Sequence, residues 1–141
     1  MIDIMDWNEC EIKFIKRVEV DPSRIQFLVR ASELRIKDLA EKKTTNENVS
    51  FVIEGFYEAI KELLSALLLK NGLRSKNHQC LISFFYKTYP EYEKEAYLIG
   101  RMSYLRNRLN YYGDLIEFEF YEKNKEEFNK IIKLLKKLIS N

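Results

Sequence analysis

The chain has 141 residues, of which 46% are hydrophobic and 33% charged, with only four Gly and two Pro. That length and balance imply one globular domain over 1–141 with enough apolar mass for a core, and exclude a disordered chain. The formal net charge of +2 is too small to mark nucleic-acid binding by itself, so any such binding needs local clustering of cations.

The scarcity of Gly and Pro favours long helices over a many-turned β fold. No apolar run approaches the roughly 18 residues needed to cross a bilayer. Met1 to Asn8 already holds Asp3, Asp6 and Trp7 instead of a basic-then-apolar leader, so a cytoplasmic protein without a membrane partner is expected. Cys10 and Cys80 are far apart and form no CxxC pattern, which predicts two free thiols, neither paired nor bound to zinc.

Residues 1–20 form an N-terminal extension that reads two ways. Ile12, Phe14, Ile15 and Val18 suit a short amphipathic helix, whereas Ile12, Phe14, Val18 and Val20 partly alternate like a strand. The helix is the favoured reading. Asp21-Pro22 is a start signal, since Asp accepts from free helix N–H groups and Pro fits the first turn. A stripe of Ile25, Leu28, Val29, Ser32, Ile36 and Leu39 then predicts a helix to about Lys43. Thr44 and Glu47 have the spacing of a capping box and predict a second helix running to Asn71, stopped by Gly72. Its wide stripe of Val52, Phe56, Ile60, Leu63 and Leu67 suits the centre of a bundle.

Ser75 is expected to cap a third helix carrying Leu81, Ile82, Phe84 and Phe85. Pro90 is expected to begin a fourth that Gly113 ends. Asp114 with Glu117 predicts the start of a last helix, with a bend somewhere between Tyr121 and Phe128. Lys130, Lys133, Lys136 and Lys137 sit near its carboxyl end, where cations complement the helix dipole. The expected fold is therefore all-α, an up-and-down antiparallel bundle of four or five helices.

Within the fourth helix the segment Gly100 to Asp114 stands out. Arg101, Arg106 and Arg108 occur there with no acidic residue before Asp114. Met102, Leu105, Leu109 and Tyr112 mark one helical face. At about 100° per residue, Ser103, Arg106, Asn107, Asn110 and Tyr111 fall on the opposite one. A guanidinium offers a planar fork of donors suited to phosphate, and an amide can fix a ribose or a base edge. The bland alternative is an Arg on a solvated face paired with a carboxylate. Arg74, Lys76, Arg101, Arg106 and Arg108 can form a positive groove with Tyr104, Tyr111 and Tyr112 as stacking partners, the pattern of single-stranded RNA binding. Alternatively Arg101, Arg108 and Tyr104 pack within the bundle, and sequence does not separate the two. His78, the one histidine, follows the basic turn Arg74-Ser75-Lys76-Asn77. It is either a structural hydrogen-bonding residue or, if the fold carries it to the Arg106 face, a proton carrier. With one His and no acidic cluster at ligand spacing, no metal or other cofactor is expected.

Arg106-Asn107 followed by Arg108-Leu109-Asn110 and Tyr111 resembles the RNxxxH signature of the HEPN family (higher eukaryote and prokaryote nucleotide-binding domains). Phe56-Tyr57-Glu58-Ala59, the segment Ala66 to Gly72 and Asn77-His78 before Leu81-Ile82-Ser83-Phe84-Phe85 also resemble it. The similarity covers roughly Ile25 to Ile139. One departure is that Tyr111 stands where the family has histidine. The resemblance implies a helical bundle that forms a homodimer, an Arg-Asn face in an interfacial cleft, RNA cutting or nucleotide binding, and a small nucleotidyltransferase as partner. Arg106, Asn107 and Tyr111 would be its catalytic set. Arg101, Arg108, Asn110 and His78 would join them in binding nucleotide or RNA. Histidine titrates near neutral pH and suits proton transfer during attack by a 2′-hydroxyl. Tyrosine, with a reference pKa of about 10, is a poor general base, so the departure bears on cutting more than on fold. Three readings follow: a module that binds RNA, nucleotide or a nucleotidyltransferase without strong catalysis; a metal-independent endoribonuclease of a toxin–antitoxin pair; or a helical protein used only for interactions.

Overall fold

The computed structural model describes residues 3–141, so the first two residues of the N-terminal extension lie outside it. The described residues form six helices, α1 (Trp7–Lys13), α2 (Pro22–Ala40), α3 (Val49–Lys70), α4 (His78–Thr88), α5 (Glu93–Tyr112) and α6 (Phe118–Ser140). Two short strands, β1 (Ile15–Arg17) and β2 (Leu73–Ser75), pair antiparallel with Lys16 opposite Arg74. The all-α class is as expected, with more helices than the four or five read from the pattern.

The packing is centred on α3, which touches α2, α4, α5 and α6. Its apolar stripe is wide enough to face several neighbours, and Ile53, Ile60, Leu63 and Leu67 have no solvent exposure. Burying one such side chain contributes about 1.5–3 kcal/mol, so α3 is the thermodynamic centre of the fold. Met102 and Ile99 of α5 and Phe128, Ile131 and Leu135 of α6 complete the same core. Gly55 lets α2 approach closely, since a Cβ there would lie 2.9 Å from Leu39 Cδ2. Ion pairs Arg35–Glu62 (3.0 Å) and Lys136–Glu33 (2.7 Å) hold α2 to α3 and α6.

Several local expectations are corrected. The N-terminal extension is helix and then strand, because the apolar Ile15 pairs into the ribbon opposite Ser75. The second helix opens through Thr45 and Asn48, whose side chains and backbone amides exchange hydrogen bonds (2.8 and 3.3 Å), instead of through Thr44 and Glu47. Asn77 caps α4 by accepting from the Gln79 amide at 2.8 Å, while Ser75 shapes the preceding turn. Pro90 starts a single 3₁₀ turn ahead of α5. Gly72 and Gly113 end their helices with φ of +71° and +69°, the left-handed geometry that glycine adopts without steric cost. Residues 114–117 are not helical. Asp114 is drawn to Arg108 at 2.6 Å, and the Ile116 amide donates to the buried Ser50 Oγ at 2.7 Å, so α6 starts only at Phe118. It then runs unbroken through Tyr121 to Phe128.

The largest correction concerns the cysteines. Cys10 in α1 and Cys80 in α4 form a disulfide, with Cα atoms 5.6 Å apart. The fold folds β1 back onto β2, which sets α1 against α4 and brings together two thiols separated by 70 positions. Spacing rules written for local motifs do not register such a pair.

Candidate functional site

The polar side of α5 meets the start of α4 across a cleft of about 320 Å³, lined by Lys76, His78, Gln79, Arg106, Asn107 and Tyr111 over a floor of Tyr57 and Ser103. The floor is a hydrogen-bonded junction of three helices. Tyr57 of α3 donates to Ser103 Oγ at 3.3 Å, and Gln79 Nε2 of α4 donates to the same oxygen at 2.7 Å. Ser103 is therefore buried, although its helical position alone puts it on the outward face. Leaving a buried hydroxyl without partners would cost about 1–3 kcal/mol, and this junction satisfies it while fixing the spacing of α3, α4 and α5. Burial raises the Tyr57 hydroxyl pKa, partly offset by the Ser103 bond and the Arg106 charge.

Arg106 is held from three sides. Its Nη2 donates to Glu58 Oε1 at 3.1 Å, and its Nη1 lies 3.5 Å from Asn107 Oδ1. With the Asn110 amide nitrogen turned to Glu54 Oε2 (3.1 Å), its oxygen accepts from Arg106 Nε at 3.2 Å. The guanidinium carbon also stands 5.8 Å from the centre of the Tyr57 ring. Glu58 takes Lys61 as a second cation at 2.8 Å, so one carboxylate is shared between two positive groups. The cation is positioned by α3 carboxylates behind it while its front faces the cleft.

His78 lies in the same cleft. Its pKa is lowered, first by burial and then by the Lys61 and Arg106 charges, against a smaller opposing effect of Glu58. At neutral pH the imidazole is thus kept unprotonated and able to accept a proton. Tyr111 stands at the rim with 78% of its surface exposed, a ring free to stack.

The remaining residues singled out by sequence sit elsewhere. Asn110 does not line the cleft and acts on Arg106 from behind. Arg108 lies between the rings of Tyr104 (5.9 Å) and Tyr112 (4.9 Å) and is paired with Asp114, which raises its pKa. Tyr112 is exposed and not part of the core stripe, with the Arg108 guanidinium over its ring outside the core. Arg101 stands over Phe120 at 5.2 Å and borders a second groove between α5, the 114–117 segment and α6. Arg74 is on the exposed side of β2. A single continuous groove through all five cations is therefore not formed. Lys76, His78, Arg106, Asn107 and Tyr111 come together; Arg74, Arg101 and Arg108 do not.

Glu58, Glu54 and Gln79 were not marked by sequence as site residues. A signal exists for the first two, since Glu54 and Glu58 are spaced one helical turn apart on the predominantly apolar α3. Among the described residues no group of three or more His, Cys, Asp or Glu side chains is arranged to hold a metal ion, and no helix is long and apolar enough to cross a membrane. Comparison with protein-family models, with curated proteins and with solved structures finds no match to this chain.

Proposed function

We propose that the α4–α5 cleft binds the phosphate backbone and a base of RNA or a nucleotide, in a HEPN-like module. The observation that carries this reading is the meeting of Lys76, His78, Arg106, Asn107 and Tyr111 in one cleft. Arg106 would take a phosphate with the donors its neighbours leave free, Lys76 would add charge, and Asn107 would contact ribose or base edge. The Tyr111 ring would stack on a base, which is sequence-tolerant because every base has a π face.

The fuller proposal is an up-and-down antiparallel bundle that acts as a homodimer and pairs with a nucleotidyltransferase in a toxin–antitoxin system in the cytoplasm. In support of the antiparallel order, the α5-side partners of α3 run backwards, from Ile116 at Ser50 to Arg106 at Glu58. In support of self-association, Phe27 and Leu34 lie two turns apart on α2 and are exposed, as are Phe51 and Tyr111.

A second reading, metal-independent RNA cleavage, is favoured by the place of His78 beside Arg106. In that reaction the neutral His78 takes the proton of a 2′-hydroxyl, whose oxygen attacks the adjacent phosphorus. Arg106 stabilises the added charge, and the departing 5′-oxygen takes a proton from the Tyr111 hydroxyl or water. End-labelled RNA incubated with EDTA separates the readings. Cuts ending in a cyclic phosphate, lost in Arg106→Ala and His78→Ala, establish the nuclease. Binding without cutting, weakened in Arg106→Ala, establishes the module, and neither binding nor cutting rejects both.

A further inference from the structure

The N-terminal arm, Asp6 to Arg17, packs mainly on α4 and β2, the two elements that flank one wall of the cleft. Helix α1 packs on α4, with the Trp7 ring edge-on to Phe84 at 5.5 Å and Lys87 Nζ 5.2 Å from the Trp7 ring centre. Strand β1 pairs with β2, which leads directly into Lys76. The Lys76 amide donates to the Phe14 carbonyl at 3.0 Å, so an arm residue holds the backbone of a cleft residue. On the other side of the segment, the Cys10–Cys80 disulfide fastens α1 to the first turn of α4, two positions beyond His78. Lys76, Asn77, His78 and Gln79 are thus bracketed by two attachments to the arm, one a hydrogen bond and one covalent. Gln79 in turn reaches the Ser103 junction that sets the floor.

We infer that the arm and its Cys10–Cys80 bond form a redox-sensitive brace that sets the α4 wall of the cleft. Reduction is by a dithiol: the sulfur–sulfur bond breaks, two electrons and two protons pass to Cys10 and Cys80, and the reductant leaves as its own disulfide. Both sulfurs are buried, with Met5 Sδ 3.8 Å from Cys80 Sγ, so the dithiol gains access as the arm opens locally. Disulfides are rare where cellular thiols keep cysteines reduced, and those found there are usually transient or redox-sensing. In such a compartment the brace opens, and in an oxidising one it stays closed. Regulation of ligand binding by the brace rests on the function proposed above; the brace itself does not.

The one imidazole in the chain reports the wall without any ligand. The protein purified without reductant is expected to show no reactive thiol. Dithiothreitol is expected to expose two, with far-UV circular dichroism unchanged, while the His78 titration midpoint moves up and the amides of residues 76–80 exchange faster. Cys10→Ser is expected to match the reduced wild type and to ignore dithiothreitol. A fluorescein-labelled single-stranded RNA oligonucleotide is expected to bind the oxidised form severalfold more tightly. Reactive thiols in the unreduced folded protein, or a His78 titration indifferent to reduction, would overturn the brace. RNA affinity equal in the two forms would overturn its regulatory role. RNA binding absent from both forms would reject the proposed function and the regulation with it, leaving the His78 readout to decide the brace.

Discussion

At the scale of single residues, the cleft works through charges that are shared instead of free. Glu58 serves Arg106 and Lys61 together, and Glu54 reaches Arg106 through Asn110. The His78 pKa follows from the same geometry. Burial and two nearby cations favour the neutral ring in the folded chain, whereas the unfolded chain should titrate near the reference value of about 6.5. The unfolded state then binds the proton first as pH falls. The contribution of His78 to stability is therefore complete above about pH 6.5 and is lost as pH drops through the lower, folded midpoint. Proton NMR should place that midpoint below the reference value. In Arg106→Ala it should rise, since one of the lowering charges is gone. A midpoint unchanged by the substitution would mean that Arg106 and His78 do not share a site. The Arg-Asn pair was legible in the sequence because helical periodicity gathers it on one face. The roles of Ser103 and Asn110 were not, because the period gives a direction on the helix but not which neighbour stands there.

Among the elements, helices are legible in the sequence where capping and periodicity agree. Asp21-Pro22 opens α2, with the Asp21 side chain accepting from the Arg24 amide at 3.1 Å, and Gly72 and Gly113 close α3 and α5. Local motifs mislead where tertiary partners take the side chain. Asp114 has the position of a cap but pairs with Arg108, and the strands, three residues each, are too short to show alternation. The close approach of α2 to α3 also leaves only a faint trace in sequence, one Gly within a helical stripe. Gly55→Leu should force Leu39 aside and separate the two helices, costing about 1–3 kcal/mol as overpacking does. Chemical denaturation should show that loss, with the Arg35–Glu62 pair weakened as α2 moves. Stability equal to wild type would show that the α2–α3 contact is looser than the Cβ distance implies.

For the whole molecule, the core and the disulfide secure different regions. The core is built on α3 and was visible as a wide apolar stripe. Leu63 is wholly buried within it, and Leu63→Ala should cost about 2–5 kcal/mol in urea unfolding. A cost under about 0.5 kcal/mol, the range of surface sites, would contradict the central place of α3. The disulfide instead ties the N-terminal arm to α4 across a separation of 70 residues. Such a loop stabilises by about 4 kcal/mol in the chain-entropy account, through restriction of the unfolded chain. No sequence rule for local cysteine spacing could have paired these residues, because only the return of β1 onto β2 brings them together.

The central claim is that the phosphate site is the Arg106 cleft and not the exposed Tyr104–Arg108–Tyr112 stack. Fluorescence anisotropy with a labelled single-stranded RNA oligonucleotide tests it directly, comparing wild type, Arg106→Ala and Arg108→Ala. Removing a charge-assisted phosphate contact costs about 1.5–3 kcal/mol, so Arg106→Ala should weaken binding about tenfold or more. Arg108→Ala should leave affinity near that of wild type. The opposite order, with Arg108→Ala losing the RNA and Arg106→Ala keeping it, would contradict the account and move the binding surface to the far edge of α5.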